Sequence, residues 1–144
     1  MAEVKYESKI VSNPSSIDSI FRAGSDMRNL QRMRDLIPQD KVSDLEFEQD
    51  YLRFKVDGLG QKIGIRIVDK ETDDYIKYGI ENAPVDGNCW IQMKQVAEHD
   101  TRIKLTVRVD LPMMFKMMIG DKVQTALDQV ADALAKIPFD QFEK

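Results

Sequence analysis

Leu111-Pro112-Met113-Met114-Phe115-Lys116-Met117-Met118-Ile119-Gly120 opens the longest patterned stretch of the chain, and residues 121–137 complete it. Within it Phe115, Ile119, Val123, Leu127, Val130, Leu134 and Ile137 recur at intervals of three or four. That spacing puts them on one side of a helix of about seven turns, with a continuous apolar stripe. Pro138 cannot continue the helix and ends it. A stripe of this length has to be buried against another layer. The turn around Met114, Met117 and Met118 is apolar almost all round, which suits either an adaptable ligand entrance or partner surface, or a patch of core under other helices.

The layer comes from the residues upstream. Ile103, Leu105, Val107 and Val109 alternate with Arg102, Lys104, Thr106 and Arg108, the period of a strand buried on one face. Cys89, Ile91 and Met93 alternate in the same way with Trp90, Gln92 and Lys94. A three-residue tip at Glu98-His99-Asp100 would set Trp90 opposite Arg108 as a cation–π pair on the outer face. Ile63, Ile65, Ile67 and then Ile76, Tyr78, Ile80 form two more inner faces. A four-residue loop over residues 70–73 would set Gly64 opposite Gly79 and let the sheet bend sharply there. Earlier still, a turn at Gln49-Asp50 pairs Glu46 with Arg53 and Asp44 with Lys55 on the outside, and Phe47 with Leu52 and Leu45 with Phe54 on the inside. Asp57-Gly58-Leu59-Gly60 and residues 83–88 read as turn and loop.

At the N-terminus, Val4, Tyr6, Ser8 and Ile10 alternate with charged neighbours, so a first strand is expected over residues 4–11. Ser15 and Asp18 resemble a capping box, followed by the apolar face of Ile17, Ile20 and Phe21 and a stop at Gly24. A second short helix is expected over residues 26–36, with Met27, Leu30 and Met33, before Pro38.

The expected architecture is therefore α+β. It has the order β-α-α-β6-α, with a curved antiparallel sheet wrapped around a long C-terminal helix. The 144 residues suit a single domain spanning residues 1–144. An eight-stranded lipocalin-like barrel would share the strand pattern, but the early helix pair argues against it. The element order and the C-terminal stripe resemble the helix-grip fold of the START-like superfamily, also called SRPBCC. That group includes birch-pollen-allergen-like, polyketide cyclase-like and lipid-transfer START proteins. The resemblance covers nearly the whole chain and implies a cavity between sheet and helix that holds a lipid-like, polyketide-like or other apolar molecule.

Composition narrows the chemistry. Net charge is −4, which argues against a nucleic-acid partner. The one cysteine, Cys89, excludes an internal disulfide and a cysteine-rich zinc cluster, and the one histidine, His99, excludes a histidine-rich metal site. No stretch resembles a signal peptide or reaches the roughly 20 apolar residues of a membrane span, so a reduced, cytoplasmic setting is expected. Gly58-Leu59-Gly60 is no phosphate loop, since no Lys-Ser/Thr follows.

The inner face carries few polar groups: Tyr6, Ser8, Gln49, Tyr78, Cys89, Gln95 and Asn82. No carboxylate or histidine lies in its strand runs, so no acid/base pair, catalytic residue, metal site or cofactor is expected. His99 reads as an exposed turn residue and Cys89 as a small buried hydrophobe. The candidate cavity lining is Tyr6, Phe54, Ile65, Tyr78, Met93, Leu105, Met117 and Met118. The expected function is binding of a small apolar molecule. Two alternatives stand beside it. One is a polyketide cyclase/aromatase-like enzyme in which Tyr78 or Tyr6 orients a carbonyl. The other is a protein-interaction module on the outer sheet face, of the chaperone-activator type. The pattern leaves monomer and homodimer open.

Overall fold

The computed structural model describes residues 2–29, 42–56, 62–82, 86–111 and 113–140, without the side chains of residues 2, 42, 56, 111, 115, 116, 118 and 119. The expected second helix beyond Asn29, the turn at residues 57–61 and part of the loop at 83–88 lie outside the described residues. So do the side chain of Met118 and the tail residue Phe142.

Alternation makes the strands, and the strands follow one another with short turns. They are β1 (Ala2–Glu7), β2 (Val11–Asn13), β3 (Val42–Phe47), β4 (Tyr51–Val56), β5 (Lys62–Glu71), β6 (Tyr75–Glu81), β7 (Gly87–Ala97) and β8 (Asp100–Leu111). Helix α1 (Ile17–Gly24) follows β2, and α2 (Met113–Ala135) ends the chain. The sheet is antiparallel and open, in the order β1-β8-β7-β6-β5-β4-β3, with β2 also pairing β8. Helix α2 packs on β8, β1 and β2, while α1 lies over β6 and β7. Among the described residues no helix is long and apolar enough to cross a membrane.

The first strand is broken where alternation alone made it continuous. Glu7 pairs with Thr106 and Val11 with Ile103, so four steps on the edge strand face three on β8. The extra residue is a bulge, and it reverses which side chains point inward. Ile10, expected inside, is 64% exposed, and Val11 and Asn13 are buried instead. Ser8 fills the break. Its N–H donates to Leu105 O at 2.8 Å, and its hydroxyl accepts the Leu105 N–H at 2.9 Å in place of a backbone carbonyl.

Three further registers differ from expectation, each with a displaced residue as the cause. In β3–β4, Glu46–Arg53 and Phe47–Leu52 pair as expected. A bulge then moves Lys55 opposite Ser43, and Asp44, at φ 53°, still reaches Lys55 at 3.2 Å. In β5–β6 a bulge at Val68 sets Gly64 opposite Glu81 and Gly79 opposite Arg66, so the glycines do not face each other. Arg66, facing Gly79, bonds to Glu81. In β7–β8 the tip is the turn Glu98-His99, and Trp90 faces Thr106. Arg108 still lies diagonally 5.7 Å from the Trp90 ring, while Lys77, directly across on β6, lies 5.2 Å from it.

Helix α1 begins one residue later than the capping-box reading, with Ser16 as the cap: its hydroxyl accepts the Ser19 N–H. Phe139 docks into the core instead of fraying.

Candidate functional site

The inner faces of the strands meet one another across the sheet. Tyr78 faces Ile67 on β5 and Cys89 on β7, Ile76 faces Ile91, and Ile91 faces Leu105. This apolar floor is roofed by α1 on one side and α2 on the other. Between floor and roof lies a cavity of about 320 Å³. The floor contributes Leu52, Ile65, Ile76, Ile91, Ile103 and Leu105. The α1 side contributes Ile20, Ala23, Gly24, Asp26 and Met27, and the C-terminal side Leu127, Val130, Leu134 and Phe139. Tyr78 and Cys89 complete the wall.

Of the residues expected to line it, Ile65, Tyr78 and Leu105 stand in this wall. Met93 is buried in the core but lies outside the wall, one strand position pair beyond Ile91. Phe54 packs against the core without reaching the cavity. Tyr6 lies at the α2 end, where its hydroxyl oxygen is 3.2 Å from the place a side chain on Gly120 would occupy. Met117 is 83% exposed on the outside of α2, so it lines neither the cavity nor the core. The apolar-all-round turn therefore sends Met113, Met114 and Met117 outward. What sequence reasoning missed is α1 as a wall: the spacing of Ile20 and Ala23 was the available signal.

The polar groups of the wall are few. The Tyr78 hydroxyl donates to Gly24 O at 2.8 Å, tying the end of α1 to the floor. A methyl group on Gly24 would meet Ile76 Cδ1 at 2.8 Å and the Tyr78 hydroxyl at 3.3 Å, so only glycine lets helix and floor approach this closely. Burial holds the Tyr78 phenol far above its ordinary range, with the nearby Cys89 adding to the effect. Burial also pushes the Cys89 thiol up to about 12. His99 sits at the exposed hairpin tip, 3.6 Å from Glu98 and remote from the cavity wall. Among the described residues no group of three or more His, Cys, Asp or Glu side chains is placed to hold a metal ion.

The thiol gives a direct check on the wall. An upward shift from 9.0 to about 12 lowers the thiolate fraction near neutral pH about a thousandfold. Iodoacetamide should therefore label Cys89 far more slowly in the folded protein than in urea. Equal labelling rates would mean that the thiol is not shielded as described.

No family model and no curated protein matches the sequence. Solved structures do match. Norcoclaurine synthase from Thalictrum flavum, in complex with dopamine and hydroxybenzaldehyde, superposes with a TM-score of 0.70 at 15% identity, over 94% of this chain and 86% of that one. A point mutant of the Thalictrum enzyme with a transition-state analogue gives 0.70 at 17% identity, over 100% and 99%. A START superfamily protein from Mycobacterium smegmatis gives 0.56 at 14% identity, over 92% and 98%. At such identities the likeness concerns the backbone, and the backbone agrees throughout: an open, curved antiparallel sheet with a long C-terminal helix across its concave face. This chain has the helix-grip fold of the START-like superfamily.

Proposed function

We propose that this chain binds a small, predominantly apolar molecule in the cavity between the sheet and its two helices. The observation that carries the reading is the cavity itself, about 320 Å³ with a nearly continuous hydrocarbon wall. That volume lies at the lower end of ordinary small-molecule sites. Left empty, such a wall forfeits dispersion contacts on one side, and an apolar occupant restores them without desolvating a buried charge. The likeness to a fold solved in complex with dopamine and hydroxybenzaldehyde supports a small ligand. The cyclase-type alternative needs Tyr78 or Tyr6 to donate to a substrate carbonyl. The Tyr78 proton is committed to Gly24 O and Tyr6 stands outside the cavity wall, which favours binding over that chemistry.

The test fills the cavity. Ala23 is buried on α1 and lies in the wall, so Ala23→Leu projects its added carbons into the open space. The wild-type protein should bind N-phenyl-1-naphthylamine saturably, seen as a fluorescence rise. Ala23→Leu, and Leu105→Phe as a second filling variant, should bind at least about tenfold more weakly with unchanged circular dichroism. Absence of saturable binding to the wild type, or equal binding to folded filling variants, would sink the proposal.

A further inference from the structure

Among the described residues the cavity wall has one polar pole, and that pole accepts hydrogen bonds without donating them. At the end of α1 the Tyr78 hydroxyl gives its proton to Gly24 O at 2.8 Å. A phenol has a single proton, so Tyr78 Oη is left with lone pairs only, and the Gly24 carbonyl keeps a second one. Asp26 belongs to the same wall and is another acceptor. The Arg28 guanidinium holds both Asp26 oxygens, at 2.6–3.2 Å, and keeps that carboxyl below the usual carboxylate range. Arg28 turns its Nε–H and an Nη2–H to Asp26 and does not itself stand in the described wall. Cys89 is a weak donor at best. The rest of the described wall is hydrocarbon.

Such a pole discriminates among ligand heads. A hydroxyl or ammonium exchanges its bond to water for a bond to Tyr78 Oη. A carboxylate or a carbonyl loses water and meets only lone pairs, leaving a buried acceptor unpaired. The carbonyl end of α1 adds negative potential to the pole.

We infer that the cavity selects a molecule with an apolar body and one hydrogen-bond-donating head, a hydroxyl or an ammonium, seated against Tyr78 and Gly24, and that it rejects carboxylate heads. The inference rests on the binding reading above, and the probes below separate the two. Both donor heads use the same acceptors, and an ammonium differs in drawing on the Asp26 charge.

The experiment titrates the full chain at neutral pH with four molecules of one shape: naphthalene, 1-naphthol, 1-naphthylmethylamine and 1-naphthoate. The better of 1-naphthol and 1-naphthylmethylamine should bind about tenfold more tightly than naphthalene, and 1-naphthoate at least about tenfold more weakly than naphthalene. Tyr78→Phe should shrink the advantage of the donor head, read as the ratio of the better donor's affinity to that of naphthalene within the variant, a ratio that cancels any change in the cavity both molecules share. Preference for 1-naphthol identifies a neutral head. Preference for 1-naphthylmethylamine that Asp26→Asn removes identifies a cationic one. If naphthalene binds as tightly as either donor, if 1-naphthoate binds best, or if Tyr78→Phe changes nothing, the donor-head inference is overturned while the cavity remains a binding site. If none of the four binds, the binding reading fails and takes this inference with it. The ranking on the wild-type protein is sufficient should Tyr78→Phe not fold.

Discussion

Asn13→Leu should destabilise this protein by about 3 kcal/mol and lower its Tm by roughly 10 °C. Asn13 is 1% exposed, which is unusual for an amide, and every polar atom of it is used. Its amide nitrogen donates to Leu134 O at 2.7 Å and to Ile137 O at 2.9 Å, and its oxygen accepts the Ser15 N–H at 2.8 Å. The two carbonyls belong to the last turn of α2 and the residues just beyond, where intrahelical donors run out. Asn13 therefore closes the C-terminal end of the long helix from a strand on the sheet edge. Nearby bonds extend the same clamp: the Ser16 N–H donates to Asp140 Oδ1 at 3.1 Å, and the Thr101 hydroxyl donates to Ser15 O at 2.8 Å. Leucine has similar volume but no polar atom, so the substitution orphans the Ser15 N–H, at about 1–3 kcal/mol, and strips one of two donors from Leu134 O and Ile137 O, which keep the Ile137 and Phe139 N–H groups. Ser12→Ala, on the same strand but exposed, should change stability by less than about 0.5 kcal/mol. Urea denaturation of the three proteins decides the matter: a loss below about 1 kcal/mol in Asn13→Leu would mean the amide does not hold the helix end.

Ile76→Ala should cost about 3 kcal/mol, a fall in Tm of roughly 9 °C. Ile76 is 0% exposed near the start of β6 and belongs to both core and cavity wall. It pairs with Ile91 across the sheet, and its Cδ1 packs against Gly24 of α1. Truncation loses the transfer energy of the removed carbons and leaves a void that stiff neighbours cannot close. Because one side of the residue already borders open space, the loss should fall short of the largest values seen in fully packed cores. Ile76→Val should cost about 1 kcal/mol. The enlarged cavity should accept naphthalene more readily, so ligand should raise the Tm of Ile76→Ala more than that of the wild type. A destabilisation below about 1 kcal/mol, with no added ligand response, would contradict the placement of Ile76 between core and cavity.

The inner faces of the sheet were legible because alternation is a local property. Ile65, Ile76, Tyr78, Cys89, Ile91, Ile103 and Leu105 all point where their parity puts them. Parity fails at bulges, and the failures are specific. Ile10 is outside because the extra residue after Glu7 reverses the side of each later one. Trp90 faces Thr106 because the β7–β8 tip is one residue shorter than the charged run implied and a bulge at Val96 shifts the pairing by one more. Where a bulge forms depends on which neighbour can satisfy the displaced backbone groups, as Ser8 does for Leu105, and that neighbour is 97 residues away. The methionine turn was ambiguous for a related reason. A turn apolar on every side does not say which side is covered, and Met117 proves to be outside.

Periodicity thus sufficed for the fold, because the 2-residue and 3.6-residue repeats are set by the backbone of each element and need no partner. The long stripe of α2 and the one-sided strands could satisfy each other in few ways, and the helix grip is the one adopted. The chemistry of the cavity lay beyond the reach of any repeat. Tyr78 was visible as an inward phenol. That its proton goes to Gly24, 54 positions away, depends on how α1 settles on β6. Side-chain direction is local, whereas the pairing of a polar group is long-range. Whether the wall donates or accepts was therefore settled only when helix and sheet came together.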